Sequence, residues 1–154
     1  MPFRGGIAAA LALVVLAGAA PAAAGLTAKE QALLGAVNAT RAASGLPALK
    51  ADVTLTRAAR SYSRTLLARD VLAHGDFAAR LRGFGAVGRL LGENLAWASA
   101  GAAGPNAIVQ AWMNSPPHRE NLLRPTFRRI GLGAAVGEFA GWDGATVVTA
   151  DFAG

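Results

Sequence analysis

Three observations lead to the expectation of an α+β fold for this chain. Residues 27–70 carry two amphipathic helical patterns, and residues 105–123 hold two further helix starts led by proline. Residues 127–152 then alternate as strands do, and helices followed by strands are the pattern of an α+β domain.

The first helix opens at Thr27-Ala28-Lys29-Glu30, a capping box with Thr27 as N-cap and Glu30 reaching back to it. Leu33, Leu34, Val37 and Arg41 follow at helical spacing, and Ser44-Gly45 ends it. Leu46-Pro47-Ala48-Leu49 is an extended linker, because the residue before proline avoids the α region. A second helix is expected from about Thr54 to Asp70. Leu55, Ala59, Tyr62 and Leu66 form its buried stripe, and Arg57, Arg60 and Arg64 its solvated side. Val71 to Leu91 is irregular, with one helical turn at Asp76 to Leu81, and Gly92 to Ser99 reads as a turn leading into a short extended or helical piece.

Ala100 to Gly104 is a small-residue loop, and Pro105 starts a third helix with Ile108, Val109 and Trp112 inward. Pro117 opens a fourth, since Pro116 precedes a proline, and Pro125 ends it. In Phe127 to Gly137, Ile130, Leu132, Ala134 and Val136 alternate with Gly131, Gly133, Ala135 and Gly137. One face of that strand is nearly bare, which lets another element approach closely. Glu138 to Gly144 reads as a loop, and Ala145 to Phe152 as a second strand.

The first 24 residues read as a secretory signal. Arg4 is the positive n-region, Ile7 to Ala20 the apolar stretch, and Pro21-Ala22-Ala23-Ala24 the small residues before a cut ahead of Gly25. The stretch is short for a membrane span, and a retained N-terminal anchor is the alternative. Residues 25–154 then form one domain. Its net charge is about +5, because one of 15 basic residues, Arg4, is lost against all 9 acids. With no cysteine, an exported domain must hold itself together by packing and hydrogen bonds. The arginines are scattered and make no basic run, so no nucleic-acid partner is expected. The expectation is a monomer with no stable membrane span once the signal is removed.

The chain has two histidines, His74 and His118. Imidazole titrates near neutral pH and ligates metals when neutral. His118 and Asn121 share a face of the fourth helix at i, i+3, and Glu93 follows a glycine that permits a tight turn. Two histidines and a glutamate are donors that a catalytic zinc uses. Neither His-x-x-x-His nor His-x-x-Glu-His occurs, however, so hydrogen-bonded structural groups compete with zinc. Ser115 reads as a nucleophile or as a helix cap. No Gly-x-Ser-x-Gly elbow exists, and the cap is expected. Trp97 and Trp112 read as core or cleft wall, and Asp151 as edge-exposed or hydrogen-bonded, since a buried lone carboxylate is costly.

Asn38-x-x-Arg41, His74, Gly92-Glu93-Asn94-Leu95-Ala96, Trp112-x-x-Ser115-Pro116-Pro117-His118-Arg119-Glu120-Asn121-Leu122-Leu123 and Ile130-Gly131-Leu132-Gly133 occur here in order. In this the chain resembles the CAP superfamily of cysteine-rich secretory, antigen 5 and pathogenesis-related 1 proteins, also called the SCP domain. It looks most like the short bacterial secreted members. The resemblance implies a three-layer α-β-α sandwich with a central, mainly antiparallel sheet, and a cleft with two histidines and two acids. His74, Glu93 and His118 match three of the four, and Ser115 stands where the second acid would be. Asn94 and Asn121 belong to the same motifs.

The resemblance further implies zinc on His74 and His118, as in some members. Described roles in the superfamily are sterol or lipid binding, channel-acting toxins, defence and, disputedly, proteolysis, and a shared fold does not choose among them. The missing acid favours a secreted module that binds an apolar, lipid or sterol, or cell-envelope ligand. The alternatives are a metal-dependent, peptidase-like hydrolase using His74, Glu93 and His118, and a purely structural role at the cell surface.

Overall fold

A computed structural model describes residues 25–154, so the expected signal segment lies outside the described residues. Four strands, β1 (Lys50–Ala51), β2 (Leu91–Ala98), β3 (Arg129–Phe139) and β4 (Trp142–Ala153), form one sheet in the order β1-β3-β4-β2. Only the β1–β3 pair is parallel, and the rest of the sheet is antiparallel. One face is covered by α2 (Val53–Arg69) and α3 (Phe77–Gly83). The other is covered by α1 (Ala28–Ala43), α4 (Pro105–Met113) and α5 (Pro116–Leu122). The three expected layers are present.

Strand alternation divides the core. Ile130 and Leu132 of β3, with Val148, Ala150 and Phe152 of β4, pack under Leu33, Val37, Ile108, Val109, Trp112 and Leu122. On the other face Val147 meets Leu66 and Leu95, while Ala153 meets Leu55, Ala58 and Leu81. The bare face of β3 is where α2 lies. A Cβ on Gly131 would stand 2.0 Å from the Leu55 carbonyl carbon, and one on Gly133 2.3 Å from that of Ala59. The obstacle is helix backbone, which no rotamer change relieves.

Helix termini follow the sequence closely. Thr27 and Glu30 close the capping box, and Ser44 with left-handed Gly45 ends α1. Asp52 caps α2 through Leu55 N–H, and Asp76 caps α3 through Ala79 N–H. Arg41, fully buried, donates from Nε to Pro47 O (2.9 Å), from Nη1 to Leu122 O (2.7 Å) and Arg124 O (3.2 Å), and from Nη2 to Phe127 O (3.5 Å). One side chain of α1 therefore satisfies carbonyls of both linkers that flank the layer.

Several expectations are corrected. No turn opens residues 92–99, and of the two alternatives for the piece that follows, the extended one holds. Leu91–Ala98 is a continuous strand that pairs with β4 residue by residue. The expected loop at 138–144 is a two-residue turn, Ala140-Gly141, with positive φ at both (51° and 77°) as such hairpins require. Arg60 is not on a solvated face, because it pairs with buried Glu30 at 2.5 Å. Burial would raise the Glu30 carboxyl, but hydrogen bonds from Arg60 and Thr27 outweigh it and hold the group below its ordinary value. α5 begins at Pro116, one residue ahead of the expected Pro117, and Tyr62 is half-buried.

Two stability outcomes follow. Gly133→Ala should cost about 3 kcal/mol or more, since it overpacks a rigid backbone contact. Ala140→Gly should add about 1 kcal/mol by relieving left-handed strain at a non-glycine residue. Urea denaturation of each variant, compared on midpoint and slope, checks both.

Candidate functional site

The cleft straddles the edge strand β2, whose alternation sends neighbouring residues into different layers. Glu93 points to the α2–α3 side, and Asn94 to the α4–α5 side. His74 comes from the segment between α2 and α3, His118 from α5, and their ring centroids are 6.3 Å apart. A cleft of about 270 Å³ is lined by His74, Phe77, Leu91, Gly92, Glu93, Pro117, His118 and Asn121. Gly92 is needed here for space. A Cβ would come within 2.8 Å of the Phe127 ring and 3.0 Å of Asn121 Oδ1.

Each histidine is held through Nδ1. His74 Nδ1 lies 2.7 Å from Glu93 Oε1, and since a carboxylate oxygen only accepts, that nitrogen carries the hydrogen. His118 Nδ1 lies 2.8 Å from Ser115 Oγ, whose hydroxyl can serve as donor or acceptor. Ser115 does occupy the N-cap position, but the expected cap is absent because its hydroxyl bonds the imidazole rather than helix N–H groups. Partial burial, and secondarily the neighbouring His74, push the His118 ring below its ordinary value, so it is neutral at neutral pH.

Of the sequence-derived residues, His74, Glu93, His118 and Asn121 meet at the cleft, while Asn94 and Ser115 stand behind it. Asn94 Nδ2 donates to His118 O (3.0 Å), and Asn121 Nδ2 donates to Asn94 Oδ1 (3.0 Å) and Glu93 O (3.1 Å). These bonds stitch α5 to β2. Trp112 is core, donating from Nε1 to Leu95 O (2.9 Å), whereas Trp97 is partly exposed against Phe139.

Two residues were missed. Arg80 of α3 bonds Glu93 Oε2 and lies 3.3 Å from Asp151 Oδ1, with its guanidinium 3.6 Å from the Tyr62 ring centroid. Asp151 lies directly opposite Glu93 in the β2–β4 register. It is hydrogen-bonded as one alternative held, but the edge placement fails because β4 is an interior strand. The available signal was strand alternation, which puts Asp151 on the face opposite Ala150 and Phe152.

The donors do not make a catalytic zinc set. Such a site takes three protein ligands, and here both Glu93 oxygens are engaged by His74 and Arg80, while Ser115 cannot ionise under ordinary conditions. Among the described residues no group of three or more His, Cys, Asp or Glu is placed to hold a metal. Two ring nitrogens remain.

Residues 34–152 match the family model described as the cysteine-rich secretory protein family. The uncharacterized protein YkwD of Bacillus subtilis is 34% identical over 113 residues, which cover 70% of this chain and 43% of that protein. An extracellular SCP-domain protein of Bacillus anthracis superposes with a TM-score of 0.67 at 24% identity, covering 84% of this chain and 44% of the other. An outer surface protein of Borrelia burgdorferi gives 0.66 at 24% identity, covering 79% and 89%. The chain thus spans less than half the length of the two Bacillus relatives. With the family model matched across most of its length and the sandwich in place, this chain belongs to the CAP family.

Proposed function

We propose that this chain is an exported CAP domain, residues 25–154 after removal of a 1–24 signal, that binds an apolar or cell-envelope ligand in the β2 cleft. The cleft carries this reading. Its walls include Phe77, Leu91 and Pro117, and its polar groups are few and already oriented. That is the usual constitution of a small-molecule site. Its acid, Glu93, has no free oxygen with which to act as a base on water, which sets the hydrolase reading second. The extracellular and outer-surface descriptions of the two structural relatives agree with export. No helix among the described residues is long and apolar enough to cross a membrane.

The free ring nitrogens of His74 and His118 offer polar contacts to the ligand, or a two-nitrogen hold on zinc. A two-nitrogen site should exchange readily. Zinc should therefore leave on dialysis against a mild chelator, and His74→Ala or His118→Ala should remove the residual binding. Stoichiometric zinc that survives chelation would contradict the two-nitrogen set.

Ligand uptake is checked with a fluorescent fatty acid or sterol. Binding should saturate, and Phe77→Ala should weaken it about tenfold with the fold retained, as expected for losing part of an aromatic contact. Uptake no greater than that of an unrelated protein would sink the lipid reading.

A further inference from the structure

Behind the cleft lies a second polar layer. Glu93 and Asp151 are opposed across β2 and β4, and neither side chain exposes any surface. Directly opposed residues in an antiparallel pair have Cβ atoms roughly 5 Å apart, so the two carboxyls are neighbours. The opposing residue of Asp151 on β3 is Gly131, which adds no side chain and admits the backbone of Leu55 and Thr56. The charged and titratable groups facing this pair come from three places. Arg80 of α3 reaches both carboxyls, His74 bonds Glu93, and Tyr62 of α2 lies under the guanidinium, with Arg69 of the same helix near enough to act on Tyr62.

Two ionised carboxylates against one guanidinium leave an uncompensated charge in a site without water contact, which is strongly disfavoured. The two acids are also unequally provided for. Glu93 has a partner on each oxygen, whereas Asp151 Oδ2 is fully buried and has none. A bare anionic oxygen in that position is costly, and a hydroxyl there is much less so.

From this geometry we infer that Asp151 is the cleft's second acid, a buried carboxyl inside the sheet that keeps its proton at neutral pH. It supplies from β4 the acidic group that Ser115 does not supply from the α5 side. Asp151 does not itself line the cleft, so it is a positioning residue. It acts by leaving Glu93 the single anion between Arg80 and His74. Burial, with the Glu93 carboxylate beside it, pushes the Asp151 carboxyl well above the ordinary carboxylate range, in agreement with the packing. The inference concerns the charge of the cleft and does not depend on which ligand enters.

The direct test follows the Asp151 carboxyl carbon by NMR in the full chain across the acid and neutral range. The carbon should still report the protonated acid at pH 7, where an ordinary aspartate has long since ionised. A carbon that already reports the ionised form at pH 7 overturns the inference. A second reading comes from stability. Where the folded chain holds a proton that the unfolded chain has released, stability falls as pH rises, from the unfolded value through the raised folded one. Asp151→Asn mimics the protonated acid and should abolish that fall, so parallel stability–pH curves for the two proteins also overturn it. Should the variant fail to fold, the carbon titration of the unaltered protein decides alone.

Discussion

The missing side chains at Gly131 and Gly133 are the constraint on which one whole face of this molecule rests. They bring α2 to backbone contact with β3. At that distance Ser63 Oγ reaches both Gly133 O (3.0 Å) and Thr149 Oγ1 (2.9 Å), burying a hydroxyl without leaving it unpaired. Glycine in a strand interior is unfavourable by roughly 0.5–1 kcal/mol each. Full burial of Leu55, Ala58 and Ala59, at about 25 cal/mol per Å² of apolar surface, offsets this cost. The position of α2 then fixes the chain that leaves it. Asp70 turns in the left-handed region, and Tyr62 OH bonds Ala73 O, which delivers His74 to Glu93.

The other half of the cleft depends on a different device. α5 is only seven residues long and could not hold its own orientation by helical hydrogen bonds. It is secured instead by Asn94 of β2 on its His118 carbonyl, by its own Asn121 reaching back to β2, and by Arg41 on its C-terminal Leu122 carbonyl. The two histidines thus come from opposite layers of the sandwich and meet around the rim of an edge strand. The geometry between them is set by the thickness of the sheet rather than by either helix alone.

How much of this was legible in the sequence depended on how local each signal was. The capping box at Thr27, the proline starts at residues 105 and 116–117, and the glycine alternation in β3 are local patterns, and all were readable to within a residue or so. The grouping of His74, Glu93, His118 and Asn121 was readable through motif order. The strand at Leu91–Ala98 was readable only in part, as an extended or helical piece after a turn, because Gly-Glu-Asn resembles a turn and the pairing with β4 is a long-range fact. Asp151 was misjudged in its placement for the same reason. Its burial is offset by a guanidinium 71 positions away, which no window of sequence reveals. Ser115 was misread in the opposite direction, from a local preference for capping that the adjacent imidazole outcompetes.

The order of strands in the sheet carries a consequence for how the chain is made. β4 is the last strand along the chain, yet it lies between β3 and β2. A nascent chain emerging from its N-terminus has α1, α2 and the β2 segment long before it has anything for β2 to pair with. Until residues 142–153 are available, Glu93 has no sheet behind it and α5 has no anchored strand to dock on. The cleft is therefore among the last parts of the molecule to assemble, and the interval before β4 arrives is when the half-made chain is most open to mispairing.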